Sequence, residues 1–227
     1  MNKRIARIAG LLYLIVLITG IFSLVYVPSQ ISNGSGALTE VSNIHASISL
    51  FRLGVLSELT QYTAMLFLMY PLYKLLRPVN KHVAMLMVML AIAFSAVGHK
   101  LDVLSLLTGN KLHHALTTDQ SNVQAMLALA GYHNELLLSE IFWGLWLFPF
   151  GYLVFKSGFL PKILGILLMV GCFSYLADFF STVMGIAMPS YFMLPAAISE
   201  IGTCLWLLIM GQKTKAHDKV GRVSPNI

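Results

Sequence analysis

Three glutamates, each preceded by a serine, lie inside long apolar stretches of this chain, and a lysine follows each glutamate after fifteen or sixteen residues. The three pairs are Ser57-Glu58, Ser139-Glu140 and Ser199-Glu200. An ionisable side chain deep in hydrocarbon costs about 2.5 to 3.5 kcal/mol on insertion scales, so such residues usually face a protein interior or a hydrated cavity. Three glutamates at matched depth therefore predict one shared polar site.

Four further residues could join this site, because helical spacing places them on polar stripes of neighbouring apolar stretches. The full candidate polar cavity consists of Glu58, His99, Asp102, His133, Glu140, Asp178 and Glu200. Fifteen or sixteen residues of helix place each glutamate about 24 Å from a basic inner end. We therefore expect the cavity to lie in the outer half of a membrane.

Carboxylates and histidines in one cavity are compatible with several chemistries. They could bear charge for a cation, a proton or a small polar solute, with His99 exchanging protons. His99, His133 and the carboxylates are also acceptable ligands for zinc, manganese or iron, although neither H-x-x-x-H nor H-E-x-x-H occurs. A divalent metal is thus an option, and no organic cofactor is expected. An architectural role is open as well, since buried carboxylates can tie helices together through hydrogen bonds, and a Ser-Glu pair near a helix start can act as a cap.

Glycines in the apolar stretches are expected to permit close approach of helices, at Gly144, Gly151, Gly165 and Gly171. Gly144 is also expected to leave space beneath Glu140 for an ion or a water molecule.

The composition is that of a membrane protein, because 57% of the 227 residues are hydrophobic and only 11% are charged. A spanning helix needs roughly 20 mainly apolar residues. Six stretches satisfy this requirement: residues 6–27, 53–75, 83–107, 134–155, 161–182 and 193–211. We predict an all-α bundle of six membrane helices within a single transmembrane domain, residues 1–212, followed by a basic cytoplasmic tail, residues 213–227.

Two finer features of this fold are also predicted. The recurring Ser-Glu and lysine positions suggest three weakly repeated helical hairpins. Apolar residues at helical spacing between Leu38 and Phe51 predict a short amphipathic helix on the outer membrane surface. A second such helix is expected to start after Thr118 or Asp119 and to break at Gly131.

The net charge of +6 reflects membrane topology rather than nucleic-acid binding. Twelve of the 15 Lys and Arg residues fall on one side of the six-helix arrangement. This is the positive-inside asymmetry, which places both termini in the cytoplasm. The expected partners are the lipid bilayer and a small cation or polar solute, with no nucleic acid. Cys172 and Cys204 lie inside predicted spans and suggest neither a disulfide framework nor a zinc motif.

Three segments carry a resemblance to a known family: residues 140–168 (EIFWGLWLFPFGYLVFKSGFLPKILGILL), residues 7–29 and residues 49–54. Together they resemble the DUF4386 family of uncharacterised bacterial multi-pass membrane proteins, over nearly the whole chain from about Arg4 to Gly211. The resemblance implies a six-span protein of the bacterial inner membrane. It implies nothing about activity, and no functional residue is carried over from the family.

Three classes of function follow from the residues. The favoured one is binding or carrying a cation, a proton or a small polar solute in the outer cavity. The alternatives are a non-catalytic stress, immunity or assembly factor of the membrane, and an intramembrane metal-assisted hydrolase. The enzyme is the less favoured class because no G-x-S-x-G motif or Ser/His/Asp order stands out.

The topology can be tested by cysteine labelling in intact cells. A cysteine introduced at Asn33 should react with a membrane-impermeant thiol reagent, because the loop after the first span is predicted to lie outside. A cysteine at Asn80, in a predicted cytoplasmic turn, should react only after the cells are permeabilised. The reverse pattern would show that the orientation is inverted.

Overall fold

The computed structural model describes residues 3–32, 36–92, 104 and 118–209, and the described part of the chain contains helices and no strand. α1 (Lys3–Ile21) continues through a π-helical turn, Phe22–Tyr26, into α2 (Val27–Ile31). Pro28 lies at the start of α2, where its missing amide hydrogen accompanies the widened turn before it. The remaining helices are α3 (Ala37–Ala46), α4 (Ile48–Leu76), α5 (Lys81–Ala91), α6 (Thr118–Ser157), α7 (Lys162–Val183) and α8 (Leu194–Ile209).

The long helices are arranged as a ring. α1 packs between α4 and α8, α7 packs between α8 and α6, and α5 packs between α6 and α4. The two helices of each predicted hairpin, α1 with α4, α5 with α6 and α7 with α8, therefore contact each other. A polar residue or a cavity on the inner side of any one of these helices faces the same central space.

Four helical segments in the described residues are long and apolar enough to cross a membrane: Lys3–Ile31, Gln120–Ser157, Lys162–Val183 and Tyr191–Ile209. Large apolar side chains such as Leu11, Phe67 and Phe173 are more than half exposed, which suits contact with lipid rather than water. These helices indicate a membrane protein.

The prediction of six spans is correct only in part. α4 covers the second predicted span, 53–75, but it is not apolar enough to count among these four segments, because Glu58, Thr60, Gln61 and Thr63 make its first half polar. Only Lys81–Ala91 of the third predicted span is described as a helix, and it is too short to cross alone. Most of 92–107 and the tail 213–227 lie outside the described residues.

The first predicted amphipathic helix, between Leu38 and Phe51, is correct in part. α3 ends at Ala46, Ile48 and Phe51 belong to α4, and the apolar face of α3 is turned into the protein. Val41 and Ile44 are buried against Val27 and Ile31 of α2 and Phe51 of α4. The second predicted amphipathic helix is wrong, since α6 runs through Gly131 without a break as one helix of 40 residues. At 1.5 Å per residue α6 is about 60 Å long, roughly twice the thickness of the hydrocarbon. Its first turns pack against α2 and α3 through one buried apolar cluster.

Glycines allow the helices to approach closely, as the sequence predicted for Gly144, Gly151, Gly165 and Gly171. A Cβ atom added to Gly151 would lie 2.5 Å from the backbone oxygen of Gly165, and one added to Gly165 would lie 2.7 Å from that of Gly151. One added to Gly171 would lie 2.9 Å from Cα of Ala196. At these positions α7 contacts α6 and α8 through backbone atoms.

Replacing Gly151 by alanine should lower the thermal stability of the protein in detergent. Alanine stabilises a helix by up to about 1 kcal/mol relative to glycine, but overpacking against a backbone oxygen costs typically 1 to 3 kcal/mol. Gly202→Ala is the matched control, because the only close neighbour of its added Cβ is the flexible Cδ2 of Leu164, at 3.0 Å. The expected result is a melting temperature several degrees below wild type for Gly151→Ala and near wild type for Gly202→Ala. Equal melting temperatures for the two variants would contradict the close packing of α6 and α7.

Candidate functional site

The ring of helices encloses a cavity of about 110 Å³. Its lining comes from every long helix and from the π-helical turn: Tyr13, Val16, Leu24, Gln61, Tyr62, Met65, Ala91, Trp143, Trp146, Tyr175 and Glu200. Five of these side chains are aromatic, and Glu200 is the acid in the described lining. The cavity is therefore an aromatic chamber with one carboxylate.

Two tyrosine hydroxyls hold the carboxylate of Glu200. Tyr13 of α1 donates a hydrogen bond to Oε2 at 3.3 Å, and Tyr175 of α7 donates one to Oε1 at 3.2 Å. Both carboxylate oxygens are thus engaged by neutral donors, which stabilise a negative charge. The three residues link α1, α7 and α8 at one point inside the ring.

Each of these tyrosines also contacts a tryptophan of α6. The rings of Tyr13 and Trp146 are 6.3 Å apart with an interplanar angle of 62°, and those of Tyr175 and Trp143 are 6.4 Å apart at 75°. Trp146 is further fixed by stacking on Phe150, with 5.2 Å between the ring centroids. Two edge-to-face Tyr and Trp pairs therefore form walls beside the carboxylate, with ring orientations set by hydrogen bonds and stacking.

The described lining contains no lysine, arginine or histidine. The negative charge on Glu200 is therefore not balanced by a basic side chain within that part of the cavity wall. A carboxylate removed from water without a cationic partner is costly, so it must be neutralised by a proton or by a bound cation.

Glu58, the first predicted site residue, is fully buried beside the cavity rather than in its wall. It lies close enough to Tyr132 to interact with it electrostatically, as does Tyr62. Tyr62 is one turn from Glu58 on α4 and lines the cavity. Glu58 is thus one helical turn from the chamber-lining Tyr62, and it also lies near Tyr132, a member of the buried apolar cluster between α2, α3, α4 and α6.

α6 packs against α7, and Glu140 of α6 lies close enough to Asp178 of α7 to interact with it electrostatically. Tyr175 interacts electrostatically with both Glu140 and Glu200. The prediction that Gly144 leaves space beneath Glu140 is wrong. A Cβ added there would lie 2.9 Å from Cβ of Tyr175 and 3.0 Å from the carbonyl oxygen of Cys172, so this glycine is used for packing.

The serines of the three Ser-Glu pairs bind backbone carbonyls. Ser139 and Ser199 donate to oxygens of their own helices at 2.8 Å, while Ser57 donates to the carbonyl of Thr19 in α1 at 3.0 Å. The pairs at Glu58 and Glu140 lie well inside α4 and α6. A helix-capping role, open from sequence, is therefore wrong for these two glutamates.

His133 does not line the cavity. Its imidazole is half exposed, and Nε2 lies 3.8 Å from Oε1 of Glu40 on α3. His99 and Asp102 lie outside the described residues. Among the residues that the structure does describe, no group of three His, Cys, Asp or Glu side chains could hold a metal ion. Both cysteines are buried and unpaired with each other.

Four aromatic residues of the chamber were missed from sequence, because an aromatic residue in an apolar stretch is most simply explained by packing or lipid contact: Tyr13, Trp143, Trp146 and Tyr175. A positional signal was present nevertheless. Trp143 follows Glu140 by three residues, Tyr175 precedes Asp178 by three, and each pair shares a helix face. Aromatic residues one turn from a buried acid would have indicated the wall of the cavity.

Comparisons with known proteins give a family but no activity. Over 146 residues the chain is 32% identical to an uncharacterised protein of Archaeoglobus fulgidus, which covers 63% of this chain and 74% of that protein. No solved structure matches. The family model described as a domain of unknown function, DUF4386, matches residues 8–211, and the chain belongs to this family.

Proposed function

We propose that this protein binds or carries a small cation in the chamber around Glu200. The observation that carries the proposal is the carboxylate held by Tyr13 and Tyr175, with no basic side chain in the described lining. The two hydroxyls stabilise the charged form of the acid, whereas removal from water opposes it, so a bound cation would be needed to keep the charge. The same arrangement leaves the charge available to a ligand.

The protein in this proposal is a multi-pass protein of the bacterial cytoplasmic membrane with both termini in the cytoplasm. Lys3, Lys74, Lys156 and Lys162 stand at the helix ends that would meet the inner headgroups. α4 and the segment that begins with α5 would complete six spans, because both belong to the ring that surrounds the chamber. Gln61 and Tyr62 of α4 line the chamber, while the exposed Thr60 and Thr63 donate hydrogen bonds to carbonyls of their own helix.

Glu140 and Asp178 supply a second acidic position near Tyr175. Glu140 lies one turn from Trp143 and Asp178 one turn from Tyr175, in each case toward the helix end that would face outside. A cation or proton moving between the outer surface and Glu200 would therefore meet these two carboxylates. This pair supports carriage in addition to binding, and Tyr175 is the side chain that connects the two positions.

One alternative has its own support. The hydrogen bonds of Glu200 join three helices, which is what an architectural residue of a non-catalytic stress, immunity or assembly factor would do. The metal-assisted hydrolase has no such support among the described residues, because His133 lies with Glu40 rather than with Glu140.

A thermal-shift experiment separates binding from architecture. Purified protein in detergent is heated in chloride salts of sodium, potassium, ammonium and tetramethylammonium at equal ionic strength. Binding of a cation at ten times its Kd should stabilise the wild type by about 1.4 kcal/mol, a shift of several degrees. Glu200→Gln should remain folded, because an amide can replace both hydrogen bonds, but should lose the difference between salts.

Glu40→Gln is the matched control, because this acid lies on α3 beside His133 and does not line the chamber. It should respond to each salt as the wild type does. Identical responses of wild type and Glu200→Gln to all four salts would overturn cation binding and leave the architectural role.

A further inference from the structure

We propose that the ligand of the chamber is a substituted ammonium cation, such as a methylated amine head group, rather than a metal ion. This inference rests on the proposed function and specifies its ligand class. It follows from the chemistry of the walls, from their fixed orientation and from the size of the space.

The lining is rich in aromatic side chains and contains one carboxylate. Calcium takes six to eight oxygens at 2.3 to 2.6 Å and magnesium needs an octahedral set, whereas the described lining supplies one carboxylate and the amide of Gln61 besides tyrosine hydroxyls. Both oxygens of Glu200 already accept hydrogen bonds from Tyr13 and Tyr175. A dehydrated calcium or magnesium ion would therefore have to displace Tyr13 and Tyr175 from Glu200 before the carboxylate oxygens could act as ligands.

The aromatic residues of the lining favour an organic cation, because aromatic rings attract cations without acting as metal ligands. A cation within about 6 Å of an aromatic ring centre is attracted to the ring face, and the attraction is strongest for tryptophan and for sites without water. Trp143, Trp146 and three tyrosines line the chamber together with one carboxylate. Val16, Leu24, Met65 and Ala91 complete the lining and would contact methyl groups, which a hydrated metal ion does not have.

The walls are rigid before any ligand arrives. The hydroxyls of Tyr13 and Tyr175 are tied to Glu200, the two Tyr and Trp pairs meet at 62° and 75°, and Trp146 stacks on Phe150. Rings fixed in this way lose little conformational entropy when a cation binds. Only a small entropy cost therefore offsets the attraction between the rings and the cation.

The size of the chamber limits the ligand to a small head group. A water molecule occupies about 30 Å³ of liquid, so the 110 Å³ of the chamber corresponds to about four waters. This volume accommodates an ammonium nitrogen with a few methyl groups and excludes a nucleotide or a sugar.

The test measures the binding of tetramethylammonium to the full chain in detergent by quenching of intrinsic tryptophan fluorescence, with sodium, potassium and ammonium chlorides at the same ionic strength. Tetramethylammonium should bind saturably and with the highest affinity of the four. Trp143→Leu should weaken it about tenfold, and Trp143→Phe should weaken it less because an aromatic face remains. Trp143 is only partly buried, which makes both variants reasonable candidates for folding.

Trp206→Leu is the matched control, since this tryptophan lies on α8, is also partly buried and does not line the chamber. Its affinity for tetramethylammonium should equal that of the wild type. Because the wild-type comparison of four salts needs no variant, a failure of Trp143→Leu to fold would still leave the ligand class decided by that comparison and by Trp143→Phe.

The outcomes distinguish this inference from the function on which it rests. If potassium or sodium binds as tightly as tetramethylammonium and the binding depends on Glu200, the proposed function survives and the ammonium class is wrong. If no salt gives saturable binding that depends on Glu200, both are wrong. Equal weakening by Trp143→Leu and Trp206→Leu would also overturn the aromatic site.

Discussion

A carboxylate inside a membrane protein must be stabilised where it lies, and the arrangement of these helices follows from that requirement at Glu200. The hydroxyls of Tyr13 and Tyr175 reach the two oxygens of this carboxylate from opposite neighbours of α8. Neither tyrosine could do so unless its helix lay against α8 in the right register. The hydrogen bonds therefore constrain three helices at once, and the chamber exists because they converge.

The close contacts that make this convergence possible are found next to the tyrosines themselves. Gly10 is three residues before Tyr13 and packs on the backbone of Leu207 and Leu208, while Gly171 is four residues before Tyr175 and packs on Ala196. One helical turn separates each glycine from its tyrosine, so both lie on the face turned toward α8. A larger side chain at either glycine would move the helix outward and carry the hydroxyl away from Glu200. Packing and site chemistry thus depend on the same contacts.

Features carried by local sequence could be predicted, and features that depend on partners across helices could not. Apolar stretches predicted the positions of most helices, and Glu200 was found because a charge in such a stretch is conspicuous. The roles of Tyr13 and Trp146 could not be found in the same way, since their partners are 187 residues away or in another helix. The break expected at Gly131 fails because a single glycine costs a helix only about 1 kcal/mol, which the packing of α6 on α3 and α4 offsets. Gly144 was misjudged because sequence does not show which helix fills the space beside a glycine.

The choice of glutamate at position 200 is the strongest link between this architecture and a ligand. A glutamine there could accept from one tyrosine and donate to the other, which would join the same three helices without placing a charge in the protein interior. An architectural role alone therefore does not require a carboxylate, and desolvation opposes one. The charge is favourable only if something neutralises it, and the described walls provide aromatic faces and methyl-sized apolar surface rather than a lysine or an arginine. A proton would neutralise the carboxylate and leave the tyrosines as its hydrogen-bond partners, whereas a compact organic cation would neutralise it and also contact the aromatic rings and the apolar side chains of the lining.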